Sequence, residues 1–389
     1  MARVRVGVVG VGGMGQGHCE ALQQVTEAKL AAVCDADAKT ARRVGEKFGV
    51  PSFSDHKELL KAGLVDGVVI ATPHYFHPPI ASDAFRAGLH VLSEKPISVT
   101  VKEADRMIAA ARKSGKVFSV MYQLRNDPRF RAARKLLEQG RVGALIRVGM
   151  VLGYYRSQAY YDSGGWRATW KGEGGGVLFN QAPHMLDIFG WLAGVPKYVT
   201  AQTRTRLHEI EVEDEAFALL EYENGAHGYL YASVTEAPTT SRLEIVGDKG
   251  KILIEGEEFK FWELDTPVSQ FTRTSKEMWA GPRAKLVPVT LEKREATHAA
   301  ILRNFCRAIL YGEERLTPGE EGLHSVELAD AMTLSSHAKR TVKLPISRAG
   351  YEALMAKLIA RSKPKKVVRE QRITDTVHLK EIRAKGKRK

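Results

Sequence analysis

Cysteine is scarce in this chain: Cys19, Cys34 and Cys306 stand in apolar helical or strand-like settings among 389 residues. None has a neighbour at metal-ligand spacing, and three thiols do not build a disulfide framework, so both devices are excluded as staples. No apolar run approaches the ~20 residues of a membrane span, which excludes a transmembrane reading. The start, Met1-Ala2-Arg3-Val4, enters a strand-like run without the pattern of a secretory leader, so a cytoplasmic protein is expected. His74-Tyr-Phe-His77 lacks the carboxylate or thiolate that would complete a ligand set, and no metal is expected.

Acidic residues are also short, 45 against 59 basic ones, for a net charge of +14. The excess looks like a nucleic-acid signal until it is divided along the chain, because residues 361–389 carry nine of the fourteen charges. That tail reads first as a solvated extension, with contact to RNA, anionic lipid or a neighbouring subunit left open. No repeat or low-complexity stretch precedes it. With 44% hydrophobic residues, the rest is long enough for two domains with buried cores.

What is present is a run of β-branched residues, Val4-Arg5-Val6-Gly7-Val8-Val9, leading into Gly10-Val-Gly12-Gly13-Met14-Gly15 and then a helical pattern. In G-x-G-x-x-G the first glycine makes the tight turn, the second lets backbone approach a pyrophosphate, and the third lets helix pack on strand. The anion then faces a helix N-terminus. A second strand, Lys29 to Cys34, ends at Asp35, the acidic position that would bond the ribose hydroxyls. NAD is therefore expected over NADP, whose 2′-phosphate Asp35 would repel, although Arg42 and Arg43 on the next helix could reach a phosphate.

The alternation of short β-rich runs with helical segments up to residue 123 predicts one Rossmann domain, a doubly wound parallel sheet with helices on both faces. Its later strands are read at Gly67–Thr72, His90–Glu94 and Val117–Tyr122, and helix starts at Asp55, Thr100 and Thr317, the last with Pro318 at the first helical position. From 124 to 348 the texture changes. Runs at 145–155, 198–205, 216–222, 227–234, 243–246 and 251–254, with hairpin signals at Asn224-Gly225 and Asp248-Lys-Gly250, predict an α+β domain with a large, mostly antiparallel open sheet. A helical segment at 177–193 would cover one face and a second subunit the other. Helices near 296–311 and 320–338 follow, then a C-terminal helix and the basic tail over 349–389.

The chemistry-bearing residues converge on the carboxyl ends of the first sheet. Glu94-Lys95-Pro96 ends the fifth strand, where Lys95 either reaches a substrate hydroxyl or merely closes a strand at the surface. Gly172-Glu-Gly174-Gly175-Gly176 introduces a segment in which Asn180, His184 and Asp187 share one helical face. Pro183 conflicts with one continuous helix; if it sits in a first turn the conflict disappears, and Asn180 then precedes the helix. Trp166 and Arg167, with Tyr154, Tyr155, Tyr160, Tyr161 and Trp170 nearby, offer faces that stack on sugar rings and a guanidinium that grips hydroxyls or an anion, or else are ordinary strand residues. Gln123 and Arg125, just past the sixth strand, are candidates for the pocket floor.

The glycine loop, Ala71-Thr72-Pro73 followed by His77, Glu94-Lys95-Pro96, and the glycine-rich stretch before Asn180 and His184 together resemble the Gfo/Idh/MocA oxidoreductase family. The resemblance continues through Val212-Glu-Asp214, Asn224-Gly225-Ala226 and Gly247-Asp-Lys-Gly250, covering residues 3 to 345. It implies that Lys95 and His184 flank the reacting carbon, that Thr72, Pro73, His77 and Glu94 help hold the cofactor, and that the chain forms a homodimer or homotetramer. Asn180 departs from the Asp common in relatives acting on cyclitols or free sugars. Asn cannot take a proton, but it can fix a hydroxyl, leaving acid-base work to His184 as base and Lys95 as hydrogen-bonding relay.

The expectation is an NAD-dependent dehydrogenase oxidising a secondary hydroxyl of a sugar, glycoside or cyclitol. A redox-neutral cleavage or epimerisation through a transient keto sugar, with NAD held tightly, is the enzymatic alternative. A sensor of NAD or sugar is the non-catalytic one.

Overall fold

The computed structural model describes residues 2–363; the basic tail of the sequence reading lies almost wholly outside the described residues. Six strands, β1 (Val4–Val9), β2 (Ala28–Cys34), β3 (Ser52–Phe53), β4 (Gly67–Ile70), β5 (His90–Ser93) and β6 (Phe118–Val120), form a parallel sheet in the order β3-β2-β1-β4-β5-β6. Helices cover both faces, so β4 is buried at every residue and reads as an unbroken apolar run. Strand order reverses between β2 and β4 around β1, which makes the carboxyl ends Val9 and Ile70 the switch point where ligands bind in open sheets of this kind.

Local chemistry sets the helix boundaries. Asp37 and Asp55 accept the backbone N–H of Lys39 and Lys57, Thr100 accepts that of Glu103, and glycines in the left-handed region, Gly49 and Gly115, end two of these helices. The start read at Thr317 is different. Pro318 precedes a 3-10 turn, Gly319–Glu321, and the α-helix follows at Gly322–Ala338, while the Thr317 hydroxyl has no partner among the described residues.

The second sheet has nine strands: β7 (Leu145–Tyr155), β8 (Tyr198–Arg204), β9 (Glu215–Glu221), β10 (His227–Ser233), β11 (Thr235–Gly247), β12 (Gly250–Glu255), β13 (Glu258–Leu264), β14 (Ala284–Leu286) and β15 (Val342–Lys343). They run β14-β13-β12-β11-β7-β10-β9-β8-β15, antiparallel throughout except for β7 beside β10. The sequence reading shortened β11 and missed β13, β14 and β15, whose residues alternate weakly or lie at the sheet's edges.

Helices Gly322–Ala338 and Pro183–Ala193 cover one face, and Phe217 and Leu219 are exposed on the other. Two later helices return to the first sheet. His298–Tyr311 buries Ile301, Leu302 and Phe305 in one core with Val4, Val6 and Val8, and Arg348–Arg361 packs on Val101–Ser114, with Arg348 Nε 2.8 Å from Asp105. Helix Gly322–Ala338, on the second sheet, packs in turn on Val101–Ser114 and Arg348–Arg361.

Candidate active site

The glycine turn folds as its residue types require. Gly10 has φ +86°, and a Cβ there would lie 2.8 Å from the Ala71 carbonyl; at Gly15 it would lie 1.9 Å from the Gly10 oxygen. At Gly12 a Cβ would meet nothing within 4 Å, so backbone is presented to open space at the head of the helix Gly13–Leu22. Met14 is exposed beside it. Asp35 stands at the end of β2, where Oδ2 accepts the Val11 N–H at 2.9 Å and Oδ1 that of Asp37 at 3.0 Å. The carboxylate thus holds the loop and stays partly accessible. Arg42 and Arg43 are exposed on the next helix.

Around β4 and β5 the site is buried and polar. The His77 ring nitrogens lie 2.8 Å from the Thr72 and Pro96 carbonyl oxygens, tying the Thr72-Pro73 turn to the end of β5, and burial lowers the proton affinity of that ring. Glu94 Oε1 is 2.7 Å from His18 Nε2, and Oε2 accepts the Lys95 N–H. Burial alone would raise the pKa of Glu94, but the His18 contact outweighs it and the carboxyl falls to about 2. Lys95 Nζ donates to the Asn180 carbonyl at 2.8 Å; burial lowers its pKa, partly offset by Glu94 and Glu173.

The segment with Asn180 and His184 resolves the Pro183 conflict by breaking. Val177–Asn180 is one short helix and Pro183–Ala193 the next, with proline in its first turn. The first begins where Gly176 approaches Glu213 too closely for any side chain, and Glu213 Oε1 accepts the N–H groups of Gly176 and Leu178. Burial pushes Glu213 up to about 7. Asn180 Oδ1 accepts from the Tyr160 hydroxyl at 3.1 Å, and its Nδ2 donates to Glu173. His184, next to the ring of Tyr122, has an unpartnered Nδ1, and burial followed by the Lys95 charge lowers its pKa to about 3. Its imidazole is neutral at working pH. Arg167 donates to Tyr160 and stacks over Tyr160 and Trp166, and Trp166 is edge-on to His74.

Two readings are corrected, those of Asp187 and Arg125. Asp187 does not join Asn180 and His184: it forms a fully buried ion pair with Arg125, N to O 2.6 Å, and Arg125 also meets Glu321, so neither Asp187 nor Arg125 lines the site. A helical face gives direction about an axis, and here the axis changes at Gln181. Tyr155 lies on the face of β7 opposite Met150 and Leu152 and stands exposed at the strand's end, next to Arg156, whose guanidinium lies over the Tyr160 ring. Gln123 lies in the short turn after β6 beside Tyr122, its Oε1 buried without a partner. Sequence reasoning missed His18, His74 and Glu173. Of these, Glu173 carried a signal: a charged residue enclosed by glycines has backbone room to be buried.

Among the described residues no group of three or more His, Cys, Asp or Glu could hold a metal. No described helix is long and apolar enough to cross a membrane. All three cysteines are buried, and burial raises each thiol to about 12, which leaves them unreactive.

Comparison with known proteins finds similarity along most of the chain. Residues 4–122 match the oxidoreductase family with an NAD-binding Rossmann fold, and residues 130–253 match the GFO/IDH/MocA C-terminal domain. The chain is 26% identical to D-apiose dehydrogenase of Paraburkholderia graminis, over 88% of this chain and 90% of that one. It is 25% identical to myo-inositol 2-dehydrogenase of Thermotoga maritima, over 88% and 98%. Among solved structures it is similar to the WlbA dehydrogenase from Bordetella pertussis in complex with NADH and UDP-GlcNAcA, with 28% identity, a TM-score of 0.76, and coverage of 89% of this chain and 100% of that one.

Proposed function

Because the chain belongs to the GFO/IDH/MocA oxidoreductase family, whose N-terminal domain binds NAD, we propose that it oxidises a secondary hydroxyl of a sugar, glycoside or cyclitol. The observation that carries this reading is the convergence of a half-buried lysine, a neutral imidazole and a polar amide beyond the carboxyl ends of β4 and β5. The open space at Gly12, the clash-free turn at Gly10 and the Asp35 carboxylate fit the dinucleotide. Bound NAD supplies the hydride acceptor.

The residues of the chain supply the rest. The His184 imidazole, the free base at neutral pH, takes the hydroxyl proton as hydride leaves the carbinol carbon; the lowered pKa keeps the ring unprotonated beforehand but makes it a weak base, so the step relies on hydride departure to acidify the hydroxyl. Lys95 donates a hydrogen bond to the same oxygen and stabilises negative charge as the O–H bond breaks. Asn180 Oδ1 and the Tyr160–Arg167 pair fix the neighbouring hydroxyls, and Trp166 offers an aromatic face to the ring. Thr72, Pro73, His77 and Glu94 build the wall that keeps cofactor and Lys95 in register.

The test is NADH formation at 340 nm by protein saturated with NAD across a panel of sugars, glycosides, sugar acids and cyclitols, and NADH consumption with keto sugars. His184→Ala abolishes turnover while NADH affinity is kept. No reaction in either direction overturns the proposal.

A further inference from the structure

Glu173 is only 1% exposed, yet it is the charged residue of a glycine run that carries no other side chain. Its Oε2 accepts the Ala168 N–H at 2.5 Å, and Oε1 accepts Asn180 Nδ2 with Arg167 Nη1 3.9 Å away. Asn180 in turn accepts the Tyr160 hydroxyl on Oδ1 and Lys95 Nζ on its backbone carbonyl. The Tyr160 oxygen already accepts from Arg167 at 2.8 Å, so its proton is directed to Asn180. The donors and acceptors form one consistent chain, guanidinium to phenol, phenol to amide oxygen, amide nitrogen to carboxylate, and its two ends face each other as a 3.9 Å ion pair.

We propose that Glu173 is the positioning carboxylate of this site, fixing through Asn180 which amide atom faces the substrate and keeping Lys95 at the reacting hydroxyl. An ionised carboxylate only accepts, so it permits one amide orientation, with Nδ2 toward Glu173 and Oδ1 toward Tyr160 and the substrate. A neutral amide at 173 would permit both. The same carboxylate supplies negative charge beside Lys95 and Arg167, one hydrogen bond behind a neutral asparagine. Burial penalises that charge and raises the Glu173 pKa; the bonds from Ala168 and Asn180 and the Arg167 and Lys95 charges offset the penalty in part.

This inference rests on the hydride-transfer reading, and the experiment separates the two. With the sugar that yields NADH in the panel, Glu173→Gln lowers kcat by roughly 30-fold or more, the scale of a misplaced reacting group, while NADH affinity measured by fluorescence is unchanged. The double variant Glu173→Gln with Asn180→Asp moves the carboxylate across the same hydrogen bond and recovers at least about tenfold of the loss. Glu173→Gln with more than half the wild-type kcat overturns the proposal, as does a double variant no faster than the single one. If Glu173→Gln alone does not fold, the double variant decides: kcat within about tenfold of wild type supports the role, and a loss beyond about 100-fold overturns it. If wild type turns over no sugar, the hydride-transfer reading has failed on its own. The positioning claim is then read from the 13C signal of Lys95 in lysine-labelled, NADH-bound protein, assigned with Lys95→Arg. Glu94, Glu173, Arg156 and Arg167 act on that amine, and only Glu173 changes. Its titration moves to lower pH in Glu173→Gln and returns in the double variant; an unmoved titration overturns the claim.

Discussion

Two glycines of one turn should fail in opposite ways when given a methyl group. At Gly15 the added carbon would sit 1.9 Å from the Gly10 oxygen, a backbone atom that cannot rotate away. Alanine gains about 1 kcal/mol of helix propensity over glycine. Overpacking against fixed backbone costs about 1–3 kcal/mol, and this contact belongs at or beyond the upper end, for a net loss of about 2 kcal/mol. At Gly12 the methyl meets nothing within 4 Å, and the residue's φ of −65° suits alanine. Alanine is a poorer N-cap than glycine, and the exchange costs about 0.7 kcal/mol, well short of the loss at Gly15. The open space is where the pyrophosphate approaches, so the methyl obstructs the ligand and not the protein. Urea denaturation of cofactor-free protein, paired with NADH fluorescence titration, separates the effects. Gly12→Ala loses less than about 1 kcal/mol of stability and weakens NADH by at least tenfold, about 1.4 kcal/mol. Gly15→Ala loses stability as well. A Gly12→Ala protein that unfolds as early as Gly15→Ala, or that binds NADH as wild type does, would refute the reasoning.

Other outcomes follow from the same contacts. Asp187→Asn removes charge from the fully buried partner of Arg125 and lowers stability by about 3 kcal/mol, read from urea midpoints, while kcat per folded molecule stays unchanged. Asp35→Ser removes the carboxylate that would repel a 2′-phosphate, and the NADH to NADPH affinity ratio falls by about tenfold or more in paired titrations, a factor of about 1.4 kcal/mol. His74 and His184 are both lowered to about 3, so the base form of each persists as pH falls. Their imidazole C–H signals should not titrate between pH 5 and 8, and kcat/KM should show no acid limb near 6.5 from His184.

The legible part of the molecule was the part governed by local geometry. A strand entering G-x-G-x-x-G has few ways to fold, because Gly10 and Gly15 each exclude a side chain through contacts within a few residues or with the adjacent strand. Asp35 was legible for the same reason. Contacts that reach beyond one element were not: the Asn180 amide turns back past its short helix to Glu173 in the glycine run, and Lys95 meets the Asn180 carbonyl from 85 positions away. Periodicity placed Asp187 with His184 on one face but could not say that Arg125 waits beside it. The helix His298–Tyr311 likewise gave no sign in sequence that it returns to β1.

The most direct test of the central claim is transfer of the substrate's own hydrogen. A sugar that gives NADH in the panel is prepared with deuterium on its carbinol carbons and turned over once in ordinary water, and the reduced cofactor is analysed by mass and NMR. One deuterium on nicotinamide C4 per turnover, lost in His184→Ala together with turnover, is the predicted result. NADH without deuterium, or product formed with no transfer to the nicotinamide, would contradict it.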